Sequence, residues 1–177
     1  NNIEFKSKLS AKFNIYNIYS AILLLNKLTN NDINIINSIT NIDYIEGRNN
    51  IINYNNNKIV IDFAHTPKSV ESILEHYSTI KHNKIIVIIG FGGNRDINKR
   101  YMMYKSILKY TDKIILSEDN SRNESFANII KTTLKQETSN LVIIQDRKEA
   151  IKYAFIREAK MLNLLKDFLA STFFSMV

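Results

Sequence analysis

The sequence predicts an α/β fold with a Rossmann-like, doubly wound and mostly parallel sheet. From about residue 58 onward, short runs of Ile, Val and Leu alternate with segments whose apolar residues recur at helical spacing. The short runs are apolar throughout, which is typical of strands that helices cover on both faces of a parallel sheet. Polar segments follow these runs where each strand would end, and one of them, "GFGGNRD" (90–96), holds three of the chain's four glycines.

Residues 1–46 are predicted to form helices and no strand. Apolar side chains recur at helical spacing in 15–28, with Asn14 as the expected N-cap, and 31–42 has the pattern of a second helix. Because this segment lacks the alternation of strands and helices that follows, we expect it to belong to a different structural unit. The boundary is predicted near Gly47.

Strands and helices alternate after that boundary. A polar turn is expected at 53–58, and Pro67 suits the first position of a helix, where its missing N–H needs no partner. Strands are predicted at 58–63, 84–90, 113–118 and 141–145, and helices at 67–81, 97–110, 124–136 and 147–160. Right-handed crossovers between such strands place helices on both faces of the sheet.

Composition and charge exclude several kinds of protein. The chain has 177 residues and no cysteine, which excludes disulfides, thiolate metal sites and a cysteine nucleophile and is compatible with the reducing cytoplasm. No apolar run reaches the roughly 18 residues that cross a bilayer, so no membrane partner is expected. The net charge of +7 is scattered along the chain, which favours an anionic small substrate over a nucleic acid. His76 and His82 have no metal-ligand spacing, so no metal site is predicted.

Three polar segments occupy equivalent places in the predicted sheet. "DFAHTP" (62–67), "GFGGNRD" (90–96) and "EDNSR" (118–122) each follow a predicted strand. Ligands of open parallel sheets bind in the crevice outside the carboxyl ends of the strands, so these segments should lie together there. Any one of them could be an ordinary capped turn, and it is their common position that favours a binding site.

The glycine-rich segment can present a cation to a ligand. Gly90, Gly92 and Gly93 are expected to turn with positive φ and to let the backbone approach a ligand, where successive N–H groups can bind an anion. Asp96 can cap the next helix, which leaves Arg95 at the rim of the crevice. A guanidinium is a planar fork suited to a carboxylate or phosphate.

The segment after the third predicted strand carries further polar candidates. Ser121 and Glu124 have the spacing of a capping box, in which each side chain would satisfy a backbone N–H at the start of the next helix. That arrangement would leave Asp119, Asn120 and Arg122 free to face a ligand.

The segment after the first predicted strand supplies a cap and two polar side chains. Thr66 is placed to cap the following helix, so Asp62 and His65 can face the crevice. His65 could equally be an incidental histidine at a capped helix start.

Two other interpretations stay open. The "GFGG" segment could be part of a dinucleotide-binding fingerprint, with Glu118 or Asp119 on the ribose. Against this, the place of the third glycine is taken by the charged run "NRDINKR", where close packing of a helix on a strand needs a small residue. The chain could also be a folded remnant that binds no ligand.

Taken together, the motifs resemble those of the Mur ligase family. "DFAHTP", "GFGGNRDINKR" and "DNSR", in this order and at these spacings, are similar to motifs of its C-terminal domain. The resemblance is closest to the branch of the family that makes UDP-N-acetylmuramoyl-tripeptide. Upstream, "KFNIYNIYSAI" and "IEGR" resemble a helix and a hinge, and "RKEAIKYAF" resembles a later helix. The resemblance covers most of the chain, 11–158.

The resemblance implies an ATP-dependent ligase of peptidoglycan synthesis in the cytoplasm. Enzymes of this branch join meso-diaminopimelate or another diamino acid to UDP-N-acetylmuramoyl-L-alanyl-D-glutamate. ATP and Mg²⁺ are the implied cofactors: ATP phosphorylates the substrate carboxylate to an acyl phosphate, which the amine of the incoming amino acid attacks. The form "DNxR" is associated with meso-diaminopimelate, whose second carboxylate calls for an additional arginine.

The resemblance also implies roles for particular residues. Those matched to the pocket for the incoming amino acid are Arg95, Asp119, Asn120 and Arg122. Those matched to positions that face the nucleotide are Asn14, Asn17, Arg48, Asp62 and His65. The residues matched to the loop that presents the arginine are Gly90, Gly92 and Gly93. The resemblance assigns no catalytic residue to this chain.

Parts of the family pattern are absent from the sequence. The chain contains no G-K-[ST] phosphate-binding loop, and Ser121 replaces the proline of the family's D-N-P-R. From about residue 160 the sequence no longer resembles the family, and its apolar spacing predicts a helix near 161–169. We therefore expect 1–46 to be the helical tail of the central ATP-binding domain and 47–177 to be a truncated C-terminal domain. On this interpretation the chain is active only with a partner chain that carries the missing domains.

Overall fold

A six-stranded sheet forms the centre of the fold. The computed structural model describes residues 4–29, 32–54, 57–80, 84–135, 138–158 and 175–176. The strands are β1 (Asn50–Tyr54), β2 (Asn57–Ile61), β3 (Ile86–Ile89), β4 (Lys113–Leu116), β5 (Leu141–Ile143) and β6 (Ser175–Met176). Their order across the sheet is β1-β2-β6-β3-β4-β5.

Most of the sheet runs in one direction, as the sequence predicts. β3 pairs in parallel with β4, and β4 pairs in parallel with β5. β6 is antiparallel to both of its neighbours, β2 and β3, so β2 runs in the same direction as β3. The four strands of the predicted alternation therefore end at one edge of the sheet.

The sequence pattern does not predict β1. Residues 53–58 are expected to form a polar turn, but Asn53 and Tyr54 lie in β1, which pairs with β2 as an antiparallel hairpin with Ile51 opposite Val60. The asparagine-rich composition hides this strand, because asparagine is depleted in strands. β1 lies at the edge of the sheet, and its hydrogen bonds to its one neighbour, β2, hold it as a strand although its own residues do not favour one.

Two apolar layers cover the faces of the sheet. Along β3, Val87 and Ile89 belong to one buried cluster and Ile86 and Ile88 to another, because successive side chains of a strand point to opposite faces. The helices over the first cluster are α3 (Pro67–Ser78), α4 (Ile97–Tyr110) and α5 (Phe126–Thr133), and the helix over the second is α6 (Arg147–Tyr153). Helices on both faces make the sheet doubly wound, which confirms the predicted fold class.

Two predicted helix caps are confirmed. The hydroxyl of Thr66 accepts a hydrogen bond from the backbone N–H of Ser69 at 3.1 Å, and Pro67 occupies the first position of α3. Asp96 caps α4, and its Oδ1 accepts a hydrogen bond from the backbone N–H of Asn98 at 2.9 Å. These caps fix where each helix begins, so they also fix the length of the loop between strand and helix.

The capping box predicted for the next helix is wrong. α5 begins at Phe126, with Ser125 as its N-cap. Ser121 instead donates its hydroxyl to Glu118 Oε1, and the carboxylate of Glu124 has other partners. The loop after β4 therefore extends further than the sequence pattern indicates, and this length lets it reach the glycine-rich segment.

The amino-terminal segment is helical, as predicted, and contains α1 (Lys12–Thr29) and α2 (Asp32–Thr40). Asn14 is not the N-cap, because α1 begins before it, and its Nδ2 donates to the carbonyl oxygen of Ser10 at 2.6 Å. Among the described helices, none has both the length and the apolar character that a membrane span requires.

The last part of the chain differs from the expected single helix over 147–160. α6 ends at Tyr153, and Ala154–Glu158 continues it as a π-helical turn. The helix predicted near 161–169 lies outside the described residues. Further along, Ser175–Met176 forms β6, which fills the position between β2 and β3.

Candidate ligand-binding site

A cavity of about 620 Å³ lies at the carboxyl ends of β3 and β4. Its walls include residues 90–96, which we call the glycine-rich loop, and residues 117–125, which we call the β4 loop. All four residues matched to the amino-acid pocket line this cavity, namely Arg95, Asp119, Asn120 and Arg122. The fold therefore brings together side chains that the sequence pattern places after two different strands.

The glycines of the glycine-rich loop provide space rather than a left-handed backbone. The expected positive φ is wrong for Gly90, Gly92 and Gly93, since none of the three lies in that region. A Cβ on Gly90 would lie 2.6 Å from the carbonyl oxygen of Ser117, and a Cβ on Gly93 would lie 1.8 Å from that of Ser121. Both distances are far below van der Waals contact, so the close approach of the two loops requires glycine at these positions.

Within these two loops, positive φ occurs instead at two residues with side chains. Asn94 in the glycine-rich loop has a φ of 50°, and Arg122 in the β4 loop has a φ of 49°. Asparagine adopts this region at low cost, whereas arginine rarely does. The β4 loop therefore holds Arg122 in a strained conformation, which persists only where surrounding contacts fix it.

Hydrogen bonds join the two loops directly. The backbone N–H of Gly93 donates to the carbonyl oxygen of Asn120 at 2.8 Å, and Arg122 Nη1 donates to the carbonyl oxygen of Gly93 at 2.5 Å. A Cβ on Gly92 would lie 3.3 Å from Arg122 Nη1 and 3.7 Å from Arg95 Cγ. The guanidinium of Arg122 and the aliphatic stem of Arg95 therefore both lie beside Gly92, one from each loop.

Arg147 supports the cavity from behind and is not singled out by the sequence pattern. Its Nε and Nη2 donate to the carbonyl oxygen of Glu118 at 3.2 and 3.0 Å. Burial lowers the pKa of Arg147, and the nearby carboxylate of Asp119 opposes that shift. A Cβ on Gly90 would lie 2.5 Å from Arg147 Nη2, so glycine is also needed to leave room for this guanidinium. The motif "RKEAIKYAF" marks this segment but assigns its arginine no role.

Arg100 and Glu124 form a second internal contact that the sequence pattern does not indicate. Arg100 Nη1 donates to Glu124 Oε1 at 2.8 Å and Nη2 donates to Oε2 at 2.5 Å. The backbone N–H of Asn94 also donates to Glu124 Oε2, at 2.8 Å. These hydrogen bonds, first of all those from Arg100, stabilise the charged form of the carboxylate and lower the pKa of Glu124 to about 2.

A second cavity of about 410 Å³ lies between α1 and the loop after β2. All five residues matched to positions that face the nucleotide line it, namely Asn14, Asn17, Arg48, Asp62 and His65. The guanidinium of Arg48 lies over the ring of Phe63, 5.3 Å from its centroid, as a cation–π contact. Phe63 and His65 line both cavities, so the two cavities share a wall.

Asn49 fixes the position of Asp62 beside the second cavity. Its backbone N–H donates to Asp62 Oδ2 at 2.7 Å, and its Nδ2 donates to the hydroxyl of Ser10 at 3.0 Å. Burial raises the pKa of Asp62, and hydrogen bonds from the backbone, including that of Asn49, partly oppose the shift. The sequence gives no signal for this role, because Asn49 is one of many asparagines in the chain.

Comparison with protein-family models shows which family the chain is related to. A family model described as "Mur ligase, glutamate ligase domain" matches residues 47–164, which is more than half of the chain. The chain belongs to the Mur ligase family.

Curated relatives of this Mur ligase chain agree with the branch that its motifs indicate. It is 35% identical over 167 residues to the UDP-N-acetylmuramoyl-L-alanyl-D-glutamate–2,6-diaminopimelate ligase of Aquifex aeolicus, covering 92% of this chain and 34% of the relative. It is 38% identical over 141 residues to the protein of the same name from Rickettsia bellii, covering 75% of this chain and 27% of the relative. The chain therefore spans about a third of the length of the curated relatives it matches.

A solved structure supports the same relationship. A structure of a UDP-N-acetylmuramoyl-L-alanyl-D-glutamate–2,6-diaminopimelate ligase superposes with a TM-score of 0.62 at 26% identity. The superposition covers 86% of this Mur ligase chain and 32% of that structure. The family and its tripeptide-synthetase branch, which the motifs indicate, are therefore confirmed.

The charges at the first cavity of the Mur ligase chain favour an anion. Arg95, Lys99 and Arg122 line it, while the carboxylate of Asp96 accepts hydrogen bonds from the start of α4. Asp119 adds one acidic group. Within the described part of the chain, no group of three or more His, Cys, Asp or Glu side chains could hold a metal ion. Basic side chains thus outnumber acidic ones in the lining of the first cavity, which suits a ligand that carries carboxylates.

Proposed function

We propose that this chain is part of an ATP-dependent ligase that adds meso-diaminopimelate, or another diamino acid, to UDP-N-acetylmuramoyl-L-alanyl-D-glutamate in cytoplasmic peptidoglycan synthesis. The observation that carries the proposal is that Arg95 and Arg122 come from different loops, lie beside Gly92 and line the same cavity. The names of the curated relatives support the choice of amino acid.

In this proposal the first cavity binds the incoming amino acid. Diaminopimelate has two carboxylates, and each guanidinium can bind one of them through parallel hydrogen bonds. Asn120 can add an amide donor, and Asp119 can accept a hydrogen bond from an ammonium group. Binding at both ends orients the molecule, so that one amine is presented for reaction.

The second cavity takes the nucleotide in this proposal. Arg48 can offset phosphate charge, while Asn14, Asn17 and Asp62 offer groups that suit a base and a ribose. Bound ATP supplies the phosphoryl group that activates the substrate carboxylate. Among the described residues no group of three or more His, Cys, Asp or Glu side chains could hold a metal ion, so we assign Mg²⁺ to no residue of this chain.

We further propose that 1–46 is the end of a central ATP-binding domain and that 47–177 belongs to the C-terminal domain. Several large apolar side chains of α1 are at least 60% exposed in the described structure: Ile15, Tyr16, Tyr19, Leu24 and Leu28. A helix that is apolar on all sides is normally buried. The rest of the central domain, in the same chain or in a partner chain, would cover this helix and supply the phosphate-binding loop that the sequence lacks.

Calorimetric titration of the chain with meso-diaminopimelate, L-lysine and NAD tests the proposal. We expect saturable binding of diaminopimelate and weaker binding of lysine, which lacks the second carboxylate. Arg122→Met should weaken diaminopimelate binding by about tenfold or more, through loss of a charge-assisted pair. Lys148→Met removes an exposed positive charge on α6 and should bind like the wild type. NAD binding in place of diaminopimelate would favour a dinucleotide-binding module, and no binding at all would favour a remnant.

An activity assay tests whether ligation requires domains that this chain does not contain. The chain alone, with ATP, Mg²⁺, UDP-N-acetylmuramoyl-L-alanyl-D-glutamate and diaminopimelate, should form no product, because it has no phosphate-binding loop. Addition of a separately expressed fragment with the amino-terminal and central domains of a relative should restore ligation. Ligation by the chain alone would contradict the assignment of ATP chemistry to another domain.

A further inference from the structure

The carboxylate of Glu124 joins three elements behind the amino-acid cavity. It accepts two hydrogen bonds from Arg100 on α4, one at 2.8 Å from the backbone N–H of Asn94 in the glycine-rich loop, and one at 2.8 Å from Asn128 Nδ2 on α5. Arg100 Nη1 also donates to the hydroxyl of Thr132 on α5, at 3.0 Å. The β4 loop is therefore tied to α4, to α5 and to the glycine-rich loop through one side chain.

Arg100 is among the residues that line the first cavity, but the pair offers little free charge to a ligand. The side chains of Arg100 and Glu124 are 3% and 12% exposed. Both Nη atoms of Arg100 are bound to Glu124, and its Nε is buried without a partner among the described residues. We therefore expect the pair to act on a ligand through the loops that it holds.

Those loops carry Arg95 and Arg122, which line the cavity with Arg100. Asn94 directly precedes Arg95, and Glu124 follows Arg122 by two positions. Asn94 and Arg122 are also the two positive-φ residues of these loops, with φ of 50° and 49°. The strained conformation of Arg122 persists only where neighbouring contacts hold it, and the backbone N–H of Asn94 is held by Glu124 itself.

We propose that the Arg100–Glu124 pair is a positioning pair that fixes the separation of Arg95 and Arg122, and that it thereby selects an amino acid with two carboxylates over one with a single carboxylate. The inference rests on the function proposed above. A rigid separation favours a ligand whose carboxylates match it, whereas mobile arginines bind single carboxylates almost as well.

A double substitution, Arg100→Met with Glu124→Leu, tests the inference. Replacement of a buried ion pair by apolar residues of similar size often preserves stability, whereas removal of one partner leaves a buried charge. The double variant keeps Arg95 and Arg122 and removes the acceptor for the N–H of Asn94. The matched control is Lys152→Met with Glu149→Leu, which removes the ion pair of α6 and changes the charge equally. Near-ultraviolet circular dichroism and thermal unfolding establish that each variant is folded.

The measured quantity is the ratio of the dissociation constants for L-lysine and meso-diaminopimelate. We expect wild type and control to share one ratio, and the double variant to lose about tenfold of the preference or more. A general loss of stability would weaken the binding of both ligands alike and leave the ratio of their dissociation constants unchanged. If the double variant does not fold, Glu124→Gln, which keeps the volume and one acceptor oxygen, should shift the ratio in the same direction.

The outcomes separate this inference from the proposed function. An unchanged ratio in a folded variant overturns the inference while the proposed function stands. Failure of the wild type to bind diaminopimelate overturns the proposed function, and the inference with it.

Discussion

The hydroxyl of Tyr77 on α3 donates a hydrogen bond to Asn49 Oδ1 across 2.5 Å. Tyr77 is 1% exposed and Asn49 is 7% exposed, so neither group can exchange this partner for bulk water. Burial raises the pKa of Tyr77 to about 12, so the phenol remains a donor at any physiological pH. Because Asn49 also holds Asp62, this contact connects α3 with the wall of the second cavity.

Tyr77→Phe should therefore lower the free energy of unfolding by about 1–3 kcal/mol, the usual cost of a buried acceptor left without its donor. Urea denaturation followed by circular dichroism measures the change. Tyr16→Phe, at an exposed position on α1, is the matched control and should leave the midpoint unchanged. Equal midpoints for both variants would show that the hydrogen bond contributes nothing.

Gly93→Ala should destabilise the protein by about 1–3 kcal/mol, because its Cβ would overlap the neighbouring backbone. The carbonyl oxygen of Ser121 lies 1.8 Å from where that Cβ would stand, and backbone atoms cannot move aside as a flexible side chain can. Thermal unfolding measures the loss. Wild-type stability in this variant would mean that the two loops do not approach as closely as described.

Gly92→Ala should lower the affinity for the ligand without lowering the stability of the fold. The nearest atom to its Cβ, Arg122 Nη1, is the far end of a flexible side chain at 3.3 Å, so the fold should tolerate the methyl group. The same methyl group would lie against the guanidinium of Arg122 and the stem of Arg95 in the cavity, so affinity for meso-diaminopimelate should fall by about tenfold. Calorimetric titration beside a thermal melt gives both quantities, and full affinity would place the ligand elsewhere.

Arg147→Lys should lower stability by about 1–2 kcal/mol although it keeps the charge. A lysine ammonium cannot reproduce the planar fork that donates from Nε and Nη2 to the carbonyl oxygen of Glu118. Chemical denaturation measures the change. The control is Lys148→Arg, at the exposed neighbouring position. It should leave the free energy of unfolding unchanged if an exchange between lysine and arginine has no effect by itself.

The Glu124 carboxylate should make stability depend on pH in the acid range. Its folded pKa of about 2 lies below its ordinary value of 4.5, so its contribution to stability is complete above about pH 4.5 and is lost as the pH falls towards 2. Asp62 acts in the opposite direction, because its folded pKa is raised. The stability difference between wild type and Glu124→Gln should therefore shrink as the pH falls through that window. Urea midpoints at successive pH values test this, and a constant difference would contradict the lowered pKa.

The order and type of most elements are predictable from local patterns. The caps at Thr66 and Asp96 and the helix over 97–110 follow from residues that are adjacent in sequence, and they occur as predicted. β1 is not predictable in this way, because its order comes from pairing with β2 rather than from its own residues. The start of α5 is missed for a related reason, since Glu124 is engaged by Arg100 on another helix instead of by its own backbone.

Local periodicity and spacing are enough to indicate the fold class, the family resemblance and the residue types that stand where the parallel strands end. The three-dimensional packing is needed to explain why Gly90 and Gly93 must be glycine, why Asn49 is buried, and why Glu124 pairs with a residue 24 positions away. Each of these depends on a distance through space between segments that are far apart along the chain. Such distances are set by how the helices pack on the sheet, and a one-dimensional pattern does not contain them.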